Sequence, residues 1–139
     1  MGLVHQFAII PKDSDVSIVS SDMDSVSISD IIIQYIGDSL KWISTNWNGK
    51  KIQIGISYYG FSVIEDCEIT RLKNILKQWV ELFRLAPDEF YLTGEYLIDE
   101  ERYENVLVKR EEIIKNLNSC IYICEKAINE GKRVLHNGI

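Results

Sequence analysis

Histidine, cysteine and proline are scarce in this 139-residue chain, and each scarcity removes a class of function. His5 and His136 are the only imidazoles available as general bases, so nucleophilic catalysis of the familiar hydroxyl or thiol type has few arrangements open to it. Cys67, Cys120 and Cys124 form an odd set with no paired spacing. The first residues also lack the basic, apolar and small-residue order of a secretion signal, so the expected compartment is the reducing cytosol. Two prolines argue against extended disorder. Apolar runs extend only a few residues, far short of the roughly 20 needed to cross a bilayer. Glycine-rich phosphate loops are missing as well: Gly55 and Gly60 sit in a strand pattern and at its end, and no Gly-Lys-Ser or Gly-Lys-Thr follows.

Metal chemistry meets similar obstacles. Cys120 and Cys124 are one helical turn apart and can project from one face, with Cys67 or His136 as further ligands. They coincide with an apolar stripe, however, where free cysteine behaves as a small hydrophobe, so the expectation is core packing and no metal. Asp13, Asp15, Asp22, Asp24 and Asp30 suggest calcium, yet the glycine required at the sixth loop position is Ile18 or Ser27. These carboxylates read instead as solvated loop residues, one of them near a helix N-terminus. No cofactor is expected. Catalytic carboxylate pairs stay open, because their separation is a property of the fold.

What is present is the pattern of one mixed domain. The length suits a single unit, no segment repeats another, and no linker-like stretch divides the chain. Residues 3–10 are almost continuously apolar up to Pro11, which fits a buried strand containing His5, and residues 16–19 offer a hairpin partner. From Ile28, apolar residues at Ile31, Ile32, Tyr35, Ile36, Leu40, Ile43 and Trp47 follow helical spacing, with Ser27 as cap and Asn48-Gly49 as stop. Residues 51–59 alternate, placing Ile52, Ile54, Ile56 and Tyr58 on the inward side, and residues 61–64 make a further strand. A second helix runs from near Asp66 and ends before Pro87. Residues 90–98 read as a small hairpin turning at Thr93-Gly94. A last helix covers about 102–130 with Gly131 as cap, although Val106, Leu107 and Val108 weaken its first turns, and an extended tail follows. The predicted class is α+β: a single domain in which an antiparallel sheet carries about three α-helices, mainly on one face.

Charge supplies the functional signal. Fifteen basic and twenty-one acidic residues leave a net charge of −6, which disfavours nucleic acid and anionic membrane as direct ligands and favours a basic partner, while also serving plain solubility. The density peaks in residues 88–104, where Asp88, Glu89, Glu95, Asp99, Glu100, Glu101 and Glu104 meet one cation, Arg102. Tyr91, Tyr96 and Tyr103 interleave with them. Tyrosine combines contact area with a polar tip, so Glu95, Tyr96, Asp99, Glu100, Glu101, Tyr103 and Glu104 are the expected partner-binding residues. The plainer alternative is a solvated helix start whose tyrosines roof the core.

Four stretches then carry a family resemblance: MGLVHQFAI at residues 1–9, FYLTGEYLIDEERY at 90–103, KREEIIKNLNSCIYICEKA at 109–127 and HNGI at 136–139. Together they resemble the immunity protein 70 family of bacterial polymorphic toxin systems. The resemblance implies stoichiometric binding to one cognate toxin inside the producing cell, occluding its active or target surface, and it carries over no catalytic residue. Two other readings stand beside it. One is a general acidic adaptor with no toxin involved; the other is a small enzyme or ligand-binding domain whose polar groups, His136 among them, converge only in the fold.

Overall fold

The computed structural model describes residues 3–12, 24–48 and 51–139. Its main feature is a six-stranded antiparallel sheet built from β1 (Val4–Ile10), β2 (Ser25–Ser29), β3 (Ser44–Trp47), β4 (Lys51–Ile54), β5 (Phe61–Ile64) and β8 (Arg133–Asn137), in the order β2-β1-β8-β5-β3-β4. The last strand in the chain therefore lies inside the sheet, between β1 and β5. Three helices, α1 (Asp30–Leu40), α2 (Cys67–Phe83) and α3 (Arg110–Glu130), cover one face. A separate two-stranded hairpin, β6 (Glu89–Leu97) and β7 (Arg102–Lys109), joins α2 to α3, with a 3₁₀ turn at Ile98–Glu100 as its tip.

Alternation in β1 and β8 explains why the core lies where it does. Phe7, Ile9 and Val134 point to the helical face and meet Ile36 of α1, Leu72 and Leu76 of α2, and Leu117 and Cys120 of α3 in one continuous cluster. Ile10, Val63 and Leu135 point the other way and form a smaller cluster with Phe61. α2 packs along α3, whose inner stripe includes Ile113, Leu117, Ile121 and Cys124, and Gly131 ends α3 with the left-handed backbone (φ 64°) that favours glycine. None of the helices among the described residues is long and apolar enough to cross a membrane.

The α+β class, the antiparallel sheet and the three helices are as the sequence predicts, but several boundaries differ. α1 stops at Leu40 rather than running to Trp47. Ile43 keeps the helical spacing and is fully buried, yet Thr45 and Trp47 belong to a strand, both bonded to the carbonyl of Gly55, and Asn48 (φ 52°) opens a hairpin instead of ending a helix. Upstream, Ser27 is a strand residue paired with Gln6, and Ser29 occupies the cap position. The expected hairpin strand at 16–19 lies outside the described residues, and β1 pairs with β2 and β8.

In β4 the period was legible but the face was not. Ile52 and Ile54 are 68% and 67% exposed, because β4 is the sheet's edge and the helices do not extend over it. Strand pairing ends at Ile54, since Gly55 (φ 80°) turns the chain inward. The proposed turn at Thr93-Gly94 is a bulge inside one long strand, and residues 102–109, assigned to a helix, form the partner strand β7. The β-branched and aliphatic run Val106-Leu107-Val108 fits a pleated surface better than a helix start.

Candidate functional site

Two constellations stand out, one exposed and one buried. The exposed one is the β6–β7 hairpin. Its base is anchored: Leu92 is buried, and Phe90, Val106 and Val108 are half-buried, with the Phe90 ring 6.1 Å from that of Phe83 on α2. Arg110 ties the same end down through Asp88 (2.8 Å) and the Ala86 carbonyl (2.8 Å). Beyond this base the strands leave the core.

The register explains which side chains the hairpin presents. Tyr91 pairs with Leu107 and Thr93 with Asn105, but then Tyr96, not Glu95, pairs with Tyr103. One extra residue in β6 at Gly94-Glu95 thus rotates Tyr96 onto the face already carrying Tyr91, and opposite residues in a ladder share a face. Tyr91 (66% exposed), Leu107 (54%), Tyr96 (50%) and Tyr103 (58%) stand on one outward face, with Thr93 and Asn105 between the two pairs. The Tyr96 and Tyr103 rings meet edge to face at 5.0 Å.

Carboxylates surround that strip. Glu95, Asp99, Glu100, Glu101 and Glu104 are all exposed, and the only cation of residues 88–104, Arg102, is engaged by Glu100 at 2.6 Å. Glu95, Asp99, Glu101 and Glu104 have no ion pair among the described residues. Every residue expected from the sequence to bind a partner therefore falls on the outer half of one hairpin, brought together by cross-strand pairing. Sequence reasoning missed Leu107, because a helical reading of residues 102–109 hid the strand facing Tyr91, and Ile98, 81% exposed at the tip, because its expected hairpin turned at Thr93-Gly94 instead.

The buried constellation was not expected. His5 on β1 and His136 on β8 are both fully buried, as was predicted for His5, and lie on the helical face of adjacent strands. His136 meets His5 rather than a cysteine: the His5 Nδ1 and His136 Nε2 atoms are 2.8 Å apart. The other ring nitrogen of His5 lies 2.8 Å from Oδ1 of Asp30, which opens α1, where the helix dipole favours negative charge. Gln34 donates to the other Asp30 oxygen at 2.8 Å and to the Tyr58 hydroxyl at 3.1 Å, and that hydroxyl donates to Asp30. Asp30 is thus no solvated loop carboxylate; it is the hub of a polar network that runs from the two buried histidines to the partly buried Gln34 and Tyr58.

The electrostatics follow from burial. Removal from water alone would raise the Asp30 value, but hydrogen bonds from Tyr58, His5 and Gln34 outweigh it and hold the carboxyl below its ordinary range. Burial, together with the bond to Asp30, pushes the Tyr58 phenol up to about 12. Burial and the neighbouring His5 push His136 down to about 3, so its ring is neutral at physiological pH. With His5 donating to Asp30, its Nδ1 accepts from Nε2 of His136, and Nδ1 of His136 is a buried nitrogen without a partner among the described residues. Ser62 sits opposite His136 in the ladder, with its hydroxyl oxygen accepting from the Ser57 amide at 2.6 Å.

A cavity of about 370 Å³ touches this network only through Gln34 and Tyr58, its other walls including Ile33, Trp47, Ile54 and Ile56. The thiols sit elsewhere: Cys120 and Cys124 are buried in α3, with Cys120 raised well above its ordinary value by its bond to Cys124 and by burial, while Cys67 is exposed at the start of α2. Among the described residues no three His, Cys, Asp or Glu side chains are placed to hold a metal ion. No protein-family model, no curated protein and no solved structure matches the chain.

Proposed function

We propose that this protein is a bacterial immunity protein that binds a basic cognate toxin in the cytoplasm and neutralises it by covering its active or target surface. The observation that carries the reading is the outer half of the β6–β7 hairpin, where Tyr91, Tyr96, Tyr103 and Leu107 are exposed on one face beside Glu95, Asp99, Glu101 and Glu104, which have no ion pair among the described residues. A net charge of −6 attracts a cationic partner over distance, and rigid tyrosines supply contact area at low entropic cost once the surfaces meet. The four stretches that resemble the immunity protein 70 family give the toxin as the partner.

Recognition by surface suits the buried network as well. The two imidazoles do not line the cavity, and the phenol that does, Tyr58, titrates at about 12, too high to exchange protons usefully near neutrality. The network is therefore read as architecture and not as a reaction centre.

The test is coexpression with the toxin domain encoded by the neighbouring gene, followed by purified-component kinetics. Growth rescue and a stable complex support the reading. Replacing Glu95, Asp99, Glu100 and Glu101 by lysine should slow association by tenfold or more at low salt, with the difference shrinking as salt rises. Equal rates for both proteins at every salt concentration would remove the hairpin from the mechanism, and absence of any complex would leave the acidic-adaptor reading in its place.

A further inference from the structure

The His5–His136 pair is closed in by elements far apart in sequence. β8 brings His136, β1 brings His5, and α1 brings Asp30 and the neutral Gln34. Segment 55–60 lies across the end of this group with Tyr58 on Asp30, and the residues after β8 fasten it: Gly138 donates to the Gly60 carbonyl at 2.7 Å and Ile139 to the Tyr58 carbonyl at 3.0 Å. The fit at Gly138 is close enough that a methyl group there would collide with the Tyr58 carbonyl. Among the described residues, His5 is the charge that acts on His136. β5 places Ser62 opposite His136, β2 places Ile28 opposite His5, and the buried face of α3 carries apolar side chains and the thiols of Cys120 and Cys124.

We propose that segment 55–60 and residues 137–139 form a proton-released clasp over the two histidines, closed while His136 is neutral and opened when it takes up a proton.

The reason lies in the number of protons the closed pair can hold. One proton fits between His5 Nδ1 and His136 Nε2, because one nitrogen donates and the other accepts at 2.8 Å. A further proton has only the far nitrogen of His136 to go to, where it finds no acceptor among the described residues and leaves a cation buried with its ring centroid 5.1 Å from that of His5. Opening frees His136 into water, where an imidazole titrates near 6.5. The open state then binds the proton that the closed state refuses, so acid favours opening. Between about pH 6.5 and the closed-state limit of about 3, the opening equilibrium rises roughly tenfold per pH unit. Asp30 reinforces this only at the acid end, because a carboxyl held below its ordinary value loses its advantage when it protonates.

Amide hydrogen exchange between pH 7.5 and 5, corrected for the intrinsic rate at each pH, tests the clasp in the full chain. The amides of Ser57, Gly138 and Ile139 should lose protection about tenfold per unit below pH 6.5, while the central amides of α3 keep theirs. His136→Gln, which hydrogen bonds but does not titrate, should flatten that dependence. Gly138→Ala should open the clasp at pH 7.5 and leave α3 protected. Loss of protection in α3 in step with the clasp, or the same slope in His136→Gln, would overturn the proposal. If His136→Gln does not fold, NMR titration of the wild-type ring decides. A His136 ring that titrates between pH 6 and 7 while the Gly138 and Ile139 amides stay protected refutes the clasp, and a ring that stays neutral until those amides open supports it.

Discussion

Tyr96 and Tyr103 face each other across the hairpin, edge to face at 5.0 Å, because one extra residue at the Gly94-Glu95 bulge turns Tyr96 to its partner's side. The pair lies beyond the core-anchored base, so it contributes little to folding and much to the surface the hairpin presents. Replacing either tyrosine by alanine should change stability by less than about 1 kcal/mol, the scale of one cross-strand pair. On the proposed function, the same change should weaken the complex with the toxin domain by 10-fold or more. Urea titration and calorimetric binding separate the two effects.

Asp30 behaves in the opposite way. It accepts from His5, Tyr58 and Gln34, and its loss leaves the buried His5 N–H and the partly buried Tyr58 hydroxyl without this acceptor. Asp30→Ala should cost about 3 kcal/mol, whereas Asp38→Ala, two turns along α1 at a side chain 99% exposed, should cost less than about 0.5 kcal/mol. Equal urea midpoints for the two variants would show that the network is not a structural hub.

The contrast between β4 and the core marks where sequence reasoning succeeded and where it failed. Alternation in Lys51-Ile52-Gln53-Ile54 disclosed a strand, but a period of two does not say which side meets the core, and edge position is decided by strand order. α2 and α3 were legible because a single apolar stripe with a glycine cap or a following proline has one solution. The β6–β7 pairing was hidden by a bulge and by residues 102–109, whose charges also fit a helix. The histidine pair was invisible for a simpler reason: positions 5 and 136 meet only through the pairing of β1 with β8. Ile52→Thr and Ile54→Thr should each cost under about 0.5 kcal/mol, while Ile64→Ala, fully buried on β5, should cost about 2–5 kcal/mol.

Thiol chemistry offers an independent check of the helix faces. Cys67 is exposed, whereas Cys120 and Cys124 are fully buried and Cys120 is hard to ionise. A thiolate-selective reagent should label Cys67 within minutes at pH 8 and reach the other two only on unfolding. Mass spectrometry counts the adducts, and rapid labelling of all three would contradict the packing of α3.

His136 sets the acid side of the stability profile. Its folded value of about 3 lies below the ordinary 6.5, so the unfolded chain binds more protons wherever the pH falls between them, and stability declines as pH drops through that window. The slope for one such ring approaches about 1.4 kcal/mol per pH unit, which amounts to roughly 2 kcal/mol between pH 6.5 and 4.5. Asp30, held below its ordinary 3.8, contributes stability that is complete well above that value and fades only beneath it, so it leaves the range from pH 6.5 to 4.5 almost untouched. Urea unfolding of the wild type at pH 7.0, 5.5 and 4.5 should therefore show a steady loss, and His136→Gln should lose substantially less over the same range. Parallel profiles for the two proteins would mean that other groups govern the acid limb.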